Sequence, residues 1–573
     1  MKKYILSILI TLAFLTSQAT IRYATNHTGL TSGSGLTIAT ALSFTYAISS
    51  GGPVVAGDTV YVAAGSYTGT CTFQKSGTAT NPITYQGYTS VPGDQPTILV
   101  NRANPWQGLA SSSVMPLFTG TNRNTGTCFD MTGVKYVNLR NFMATAYSIG
   151  VATGSTDTIT SSHNSFFNVN FQTLGSTSAS YDGKGFLIGS RGVKWSDWNT
   201  LSYCYVMDAC AEGIDFAGDH NTAYMCYTYN QETVVSNSFM DYHFITASKY
   251  NTFNSCYAYT TSTLAASGSV HHFTCKGNRE AWVDAGSVEP HMDAQYNFFI
   301  NCTARNSSGD GFTVRHRGSS YNVFYHCYAY GTHTGANGSG GGKGNLITIR
   351  DGASYNLYYA CYGDSLASGI YFTDTNEDET GVQHTSDSNY VYSCVIANTY
   401  IPIRGVNTNS LGTDCGANVI QNCSFVLGRY MLDFGVTCNS LSFKGNIFYG
   451  ASGVADQQFD GGANHPVAGQ YTDNDIYLST TGTTPILAAT GTMTVNPTYV
   501  NIATRDLRLQ ASSTLRDKCT HISLSTSPVA LFATQNNKLW WFDITNYNLR
   551  DYNGVSRRVY GSYQDMGAYE YHP

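Results

Sequence analysis

Charge is scarce in this sequence, 12% of 573 residues, so the places where it gathers carry information. His271, His272 and Lys276 are followed by an insertion holding Arg279, Glu280, Asp284, Glu289, His291 and Asp293. Arg315, His316 and Arg317 form a second gathering, and Lys343, Arg350 and Asp351 a third. Cations and carboxylates crowded into a groove are how sites tune proton affinities. The inventory suits β-elimination of a uronate polysaccharide, which needs a cation to neutralise the carboxylate, a base to take the C5 proton and an acid to help the glycosidic oxygen leave. Lys276 or His291 is the candidate base. Arg315 is a carboxylate partner or proton donor with His316 beside it, and Arg317 or Arg350 is a subsite contact. His272, Arg279, Glu280 and Asp351 complete the substrate-binding candidates.

Two other chemistries compete. Glycoside hydrolysis needs two carboxylic acids about 5 to 9.5 Å apart, and Asp215, Asp241, Glu280 and Asp351 offer a pair, although no concentrated Asp-Asp motif stands out. A non-catalytic glycan-binding or adhesive protein is the third reading, because 43 Tyr and many Asn supply stacking and hydrogen bonds for sugars. In Cys327-Tyr328-Ala329-Tyr330, however, the Tyr residues fall at strand spacing, which reads more simply as a structural ladder. Calcium is a candidate cofactor: Asp374, Glu377, Asp378 and Glu379 offer hard oxygen ligands after a strand. The same run also works as a solvated acidic loop without metal.

What positions these residues is a repeat. Asn is followed five residues later by Cys at Asn199/Cys204, Asn221/Cys226, Asn251/Cys256, Asn297/Cys302, Asn322/Cys327, Asn356/Cys361, Asn389/Cys394 and Asn418/Cys423. Val137 to Phe142 and Asn164 to Val169 look like earlier beats with Phe or Val in place of Cys. The intervals run from 22 to 46 residues, as in a three-strand coil with inserted loops. Each beat carries a strand such as Tyr296 to Cys302, and a Gly introduces another at Gly185, Gly213, Gly311 and Gly369. The pattern predicts an all-β chain wound as a right-handed parallel β-helix, with Asn bonding its neighbours above and below at a fixed corner. Stacked equivalent positions lie about 4.8 Å apart, beyond the roughly 3.8 Å between disulfide Cβ atoms. The cysteines are therefore expected to be free, inward and inert. With coils in register, the charged stretches line one edge over roughly 10 to 15 Å, a sugar-binding length. The longest interval, between Asn251 and Asn297, marks the face where function is sought.

The ends differ in character. Met1-Lys2-Lys3, an apolar run and Ser17-Gln18-Ala19 have the form of a secretory signal, so residues 1–19 are expected to be a signal peptide of an exported, bacterial protein. Residues 20–135 read as an N-terminal cap and first coils, with a helix over Ala39 to Ile48 covering the open end. Residues 136–449 read as the repeat domain and 450–573 as an irregular closing region. A net charge of −6 gives no basic footprint for nucleic acid, and no later stretch is apolar enough for a membrane span. The expected partner is a polysaccharide, and a monomer is expected.

Gly57 to Val62 through Gly65-Ser66-Tyr67, then Asn81-Pro82-Ile83-Thr84, open the chain. Asn496-Pro497-Thr498-Tyr499-Val500, Asp506-Leu507-Arg508-Leu509, Asp551-Tyr552-Asn553-Gly554 and Asp565-Met566-Gly567-Ala568-Tyr569-Glu570 close it. In that order they resemble the two ends of secreted right-handed β-helix proteins of the pectate-lyase-like superfamily, and the resemblance implies that architecture while leaving the substrate open. Gly309 to His316, preceded by Tyr296-Asn297-Phe298-Phe299, is similar to the Arg-His strand of the alginate lyase and chondroitinase B family. That similarity implies a catalytic Arg315 and a Lys base about twenty residues upstream. Asp293 stands near that place here, with His291 close by, and Glu289 is nearest to the family's calcium-binding Glu pair.

Overall fold

The computed structural model describes residues 19–569 except for 27–28, 100–107, 155–159, 176–182, 190–195, 231–241, 262–269, 278–292, 332–343, 375–384, 408–415, 429, 435–439, 451–457, 460–470, 478–490 and 520–564. The chain divides into two compact units near Tyr229 and Asn230. Residues 1–18, with most of the expected signal peptide, lie outside the described residues.

In the N-terminal unit, parallel pairing already begins at Ile21–Thr25, which lies beside Thr59–Ala63, then Ile83–Tyr88, Val137–Thr145 and Ser165–Leu174. A second parallel sheet runs Cys71–Thr72, Thr127–Asp130, Ile149–Ala152, Lys184–Ile188, Glu212–Phe216. The helix expected over Ala39 to Ile48 is shorter: a 3-10 turn at Ile38–Thr40 and an α-helix at Phe44–Ile48. Leu42–Ser43 interrupts it because these residues pair in parallel with Ala24 and Thr25, after which Ser43 caps the α-helix by accepting from the Tyr46 N–H. Phe44 then packs on Tyr67, Phe73, Tyr85, Phe118 and Phe142, so even one turn of helix carries an anchor for the core.

The C-terminal unit shows the coil plainly. Phe298–Ile300, Thr303–Arg305 and Asp310–Arg315 form one turn of chain; Val323–Tyr325, Tyr328–Tyr330 and Asn345–Arg350 form the next, each strand parallel to its counterpart. This is a parallel β-helix with three strands per coil, and the insertions fall before and after the third strand. The Asn of each beat sits at the corner entering the first strand. The Asn297 N–H donates to Asn322 Oδ1 at 3.0 Å, the Asn322 N–H to Asn356 Oδ1 at 3.0 Å and the Asn356 N–H to Asn389 Oδ1 at 3.0 Å. The Cys sits at the next corner, buried, with its Sγ toward a carbonyl of the preceding coil, as for Cys327 and Phe299 O at 3.3 Å. Before each corner residue the backbone is left-handed: Tyr296, Tyr321 and Tyr355 have φ of 56°, 58° and 59°. Side chains resist that conformation, and the three Tyr rings offset it by stacking 5.2 and 5.3 Å apart.

The repeat outlasts its sequence signature. Tyr471–Thr472 and Asp475–Tyr477 still pair with Ser442–Lys444 and Ile447–Gly450, beyond the limit of 449 read from the sequence. There the Cys corner is occupied by Asn446 and Asn474, whose amides donate to Ile420 O at 2.9 Å and Phe443 O at 3.0 Å. The closing region does not merely end the stack: Tyr499, Leu507, Leu509, Leu515, Met566 and Ala568 pack on Val395, Val426 and Ile447 along one flank. The strands introduced by Gly need it for space. A Cβ on Gly369 would meet Pro402 O at 2.5 Å. Among the described residues no helix is long and apolar enough to cross a membrane.

Thirteen cysteines are described, all buried and free; the other two, Cys415 and Cys438, lie outside the described residues. Burial pushes the Cys275 thiol up, away from the reactive thiolate. A thiol reagent should therefore label at most Cys415 and Cys438 in the native protein, and denaturation without reductant should release at least thirteen reactive thiols. Fewer would mean that ladder cysteines are paired.

Candidate active site

The charged stretches converge on the third strands of the C-terminal unit. Tyr242–Thr246, His271–Lys276, Asp310–Arg315, Asn345–Arg350, Ser368–Asp374, Ile401–Asn407 and Tyr430–Phe434 pair in that order, all parallel. Phe244, Phe273 and Phe312 stack inward at 4.8 and 5.1 Å. That fixes the register, because a slip by one residue would turn the apolar face outward.

Register then aligns the cations. Lys276 is opposite Arg315, and Arg315 opposite Arg350. Arg315 reaches back over two strands, and its Nη1 donates to the Tyr242 hydroxyl at 3.0 Å. Lys276 Nζ lies 5.6 Å from the centroid of the same ring, and the His271 ring stacks on it at 5.4 Å. A phenol, an imidazole, an amine and a guanidinium thus meet around Tyr242, a set able to move protons and hold an anion.

Asp310 fastens this group from below. Its Oδ2 is 2.8 Å from His271 Nδ1, while Asn345 and the Thr348 hydroxyl donate to Oδ1. Burial by itself would push the carboxyl up. The facing charge and hydrogen bonds of His271, with those of Thr348 and Asn345, outweigh it and hold the carboxyl well below the usual carboxylate range. Asp310 therefore stays ionised and orients His271 instead of donating a proton.

The remaining candidates separate by position. His316, in a left-handed conformation with φ of 70°, is buried and 3.7 Å from Asp351, which also accepts from Arg350 Nε at 2.7 Å. Arg317 is exposed beside them. His272 is not a substrate contact: its ring is fully buried in the coil, shares the Thr260 hydroxyl with His243 at 3.1 Å, and is kept neutral by burial and its neighbouring histidines. Two histidine rings fill the interior here where other coils use Gly311 and Leu346. His291, Arg279, Glu280, Glu289 and Glu377 lie outside the described residues, as does the side chain of Asp374. Among the described residues no group of three or more His, Cys, Asp or Glu could hold a metal ion. Of the carboxylates considered for hydrolysis, Asp351 is committed to Arg350. Asp215, in the N-terminal unit, lies 3.5 Å from Lys184, which also binds Glu212 at 2.6 Å. Asp241 and Glu280 lie outside the described residues.

Tyr242 and Asp310 were not singled out from the sequence. Tyr242 gives no local signal, and only strand pairing shows it opposite His271; Asp310 sits between two glycines and reads as a turn residue. Counting back from Arg315 led to Asp293, which instead pairs with Lys249 at 3.2 Å. The insertion lengthens the interval, so the Lys in register with Arg315 is Lys276.

No known protein family matches the chain, and no curated protein does. Solved structures similar to it include a mannuronic-acid-specific polysaccharide family 6 lyase from human gut microbiota, at 11% identity over 78% of this chain and 87% of that one, with a TM-score of 0.42. A rhamnogalacturonan lyase aligns at 14% identity over 78% and 90%, TM-score 0.32. The catalytic domain of a GH87 α-1,3-glucanase aligns at 12% over 76% and 64%, TM-score 0.39. All three scores lie below 0.5, so the fold assignment rests on the strand pairing above.

Replacing Asp310 by Asn should lower stability at neutral pH by about 1 to 3 kcal/mol, since it takes a charged acceptor away from the Asn345 amide and the Thr348 hydroxyl. The sign of the pH dependence follows from the depressed carboxyl: its contribution is present above the unfolded value near about 3.9 and is lost as pH falls through the folded one. Melting curves of the wild type and Asp310→Asn should differ most at neutral pH and converge below about pH 4. An unchanging gap would contradict the assignment.

Proposed function

We propose that this protein is a secreted carbohydrate-active enzyme that cleaves an acidic, uronate-containing polysaccharide by β-elimination. The observation that carries this reading is the in-register row Lys276, Arg315, Arg350, with the Tyr242 phenol held by Arg315. The uronate carboxylate docks against Arg315 and Arg350, which draw charge onto it and make the C5 proton acidic. Lys276 takes that proton. The electron pair forms the C4–C5 double bond, the C4–O bond breaks, and the Tyr242 phenol, polarised by Arg315, protonates the departing oxygen. Proton removal and delivery by neighbouring groups on one face suit this chemistry.

A panel of alginate, pectate and glycosaminoglycans should give an unsaturated, ultraviolet-absorbing product with at least one of them. Lys276→Ala and Arg315→Ala should each reduce turnover by roughly 100- to 10,000-fold. New reducing ends without that absorbance would replace elimination by hydrolysis, and full turnover by Arg315→Ala would remove the site.

A further inference from the structure

The same outward face carries another cation, two coils beyond Arg350. Arg404 stands in register with Tyr371 on one side and Asp433 on the other. Its guanidinium carbon is 5.5 Å from the centroid of the Tyr371 ring. Its Nε is 3.6 Å from Asp433 Oδ2, an ion pair too long to be a hydrogen bond. The Arg404 side chain makes no hydrogen bond among the described residues, its buried Nε included, although it is only 23% exposed.

Other described arginines are used differently. Arg22 gives its donors to Asp58 and to the Ser34 carbonyl, both at 2.6 Å. Arg508 forks onto Asp506 at 2.8 and 2.6 Å, and Arg505 holds Asp364 and the Ile502 carbonyl. Those side chains are structural. A guanidinium seated on an aromatic ring, largely desolvated and with its donors uncommitted, has a fixed planar fork that matches a carboxylate.

We propose that Arg404, seated on Tyr371, is a distal subsite for a uronate carboxylate of the polysaccharide chain whose cleavage is centred on Lys276 and Arg315. The strands of Arg315 and Arg404 are three steps apart, about 14 Å at roughly 4.8 Å per step. That is the reach of a short oligosaccharide and not of one ring. Asp433 competes with the incoming anion for the same guanidinium, so this subsite is tuned to hold the chain loosely enough to release it. The subsite rests on the reading of the substrate as a polyuronate.

Affinity electrophoresis of the full-length protein in gels containing alginate or pectate, with a neutral glucan gel as reference, tests it. Arg404→Ala should weaken retardation by the acidic polymer about tenfold, and Asp433→Asn should strengthen it, with mobility in the neutral gel unchanged for both. The opposite signs guard against misfolding, which would weaken both variants. No retardation of the wild type by either acidic polymer, or equal retardation of the wild type and Arg404→Ala, would overturn the subsite. Loss of retardation in Arg404→Ala from a protein that makes no unsaturated product would support the subsite while removing β-elimination.

Discussion

The structure of the C-terminal unit depends on one recurrent contact, an asparagine amide turned into the corner of the coil. Asn297, Asn322, Asn356 and Asn389 each accept the backbone N–H of the counterpart one coil earlier, as Asn322 does from Asn297, and donate to a backbone carbonyl, as Asn322 does to Ala294 at 2.8 Å. A polypeptide that turns three times per coil exposes backbone groups at every corner, and buried groups of that kind must be satisfied. The amide supplies one acceptor and two donors at the same point. Because it also faces the next coil, it fixes the register between coils, and register decides which side chains meet on the outer face.

The catalytic proposal follows from that constraint. Lys276, Arg315 and Arg350 sit far apart in sequence, separated by insertions of unequal length, yet occupy equivalent places on adjoining strands. A solenoid lets loops vary while holding the strand positions constant. Cations brought this close repel one another, and the partners that offset the cost are visible: Asp351 for Arg350 and the Tyr242 oxygen for Arg315. Binding an anionic polymer would relieve the remaining repulsion, which makes substrate and site complementary in charge.

Much of this was legible in the residues. The Asn-to-Cys spacing gave the corners and the free thiols, because corner chemistry tolerates few residue types. The clustering of scarce charge falls on third strands, where Lys276, Arg315 and Arg350 stand in register. What stayed hidden was whatever depends on pairing. Cys gives way to Asn446 and Asn474 at the second corner since an amide reaches the same carbonyl as a thiol, so the beat vanished while the coil continued. His272 carries a polar label but faces inward beside His243, where Thr260 satisfies it. Tyr242 and Arg404 have no local motif, and their contacts come from neighbours on other coils.

Mass spectrometry of the products of a defined oligouronate tests the central claim most directly. In β-elimination the fragments together have the mass of the substrate and one bears a C4–C5 double bond, because the bond breaks without adding water. Fragments whose combined mass exceeds the substrate by one water would contradict a site built on Lys276, Arg315 and Tyr242.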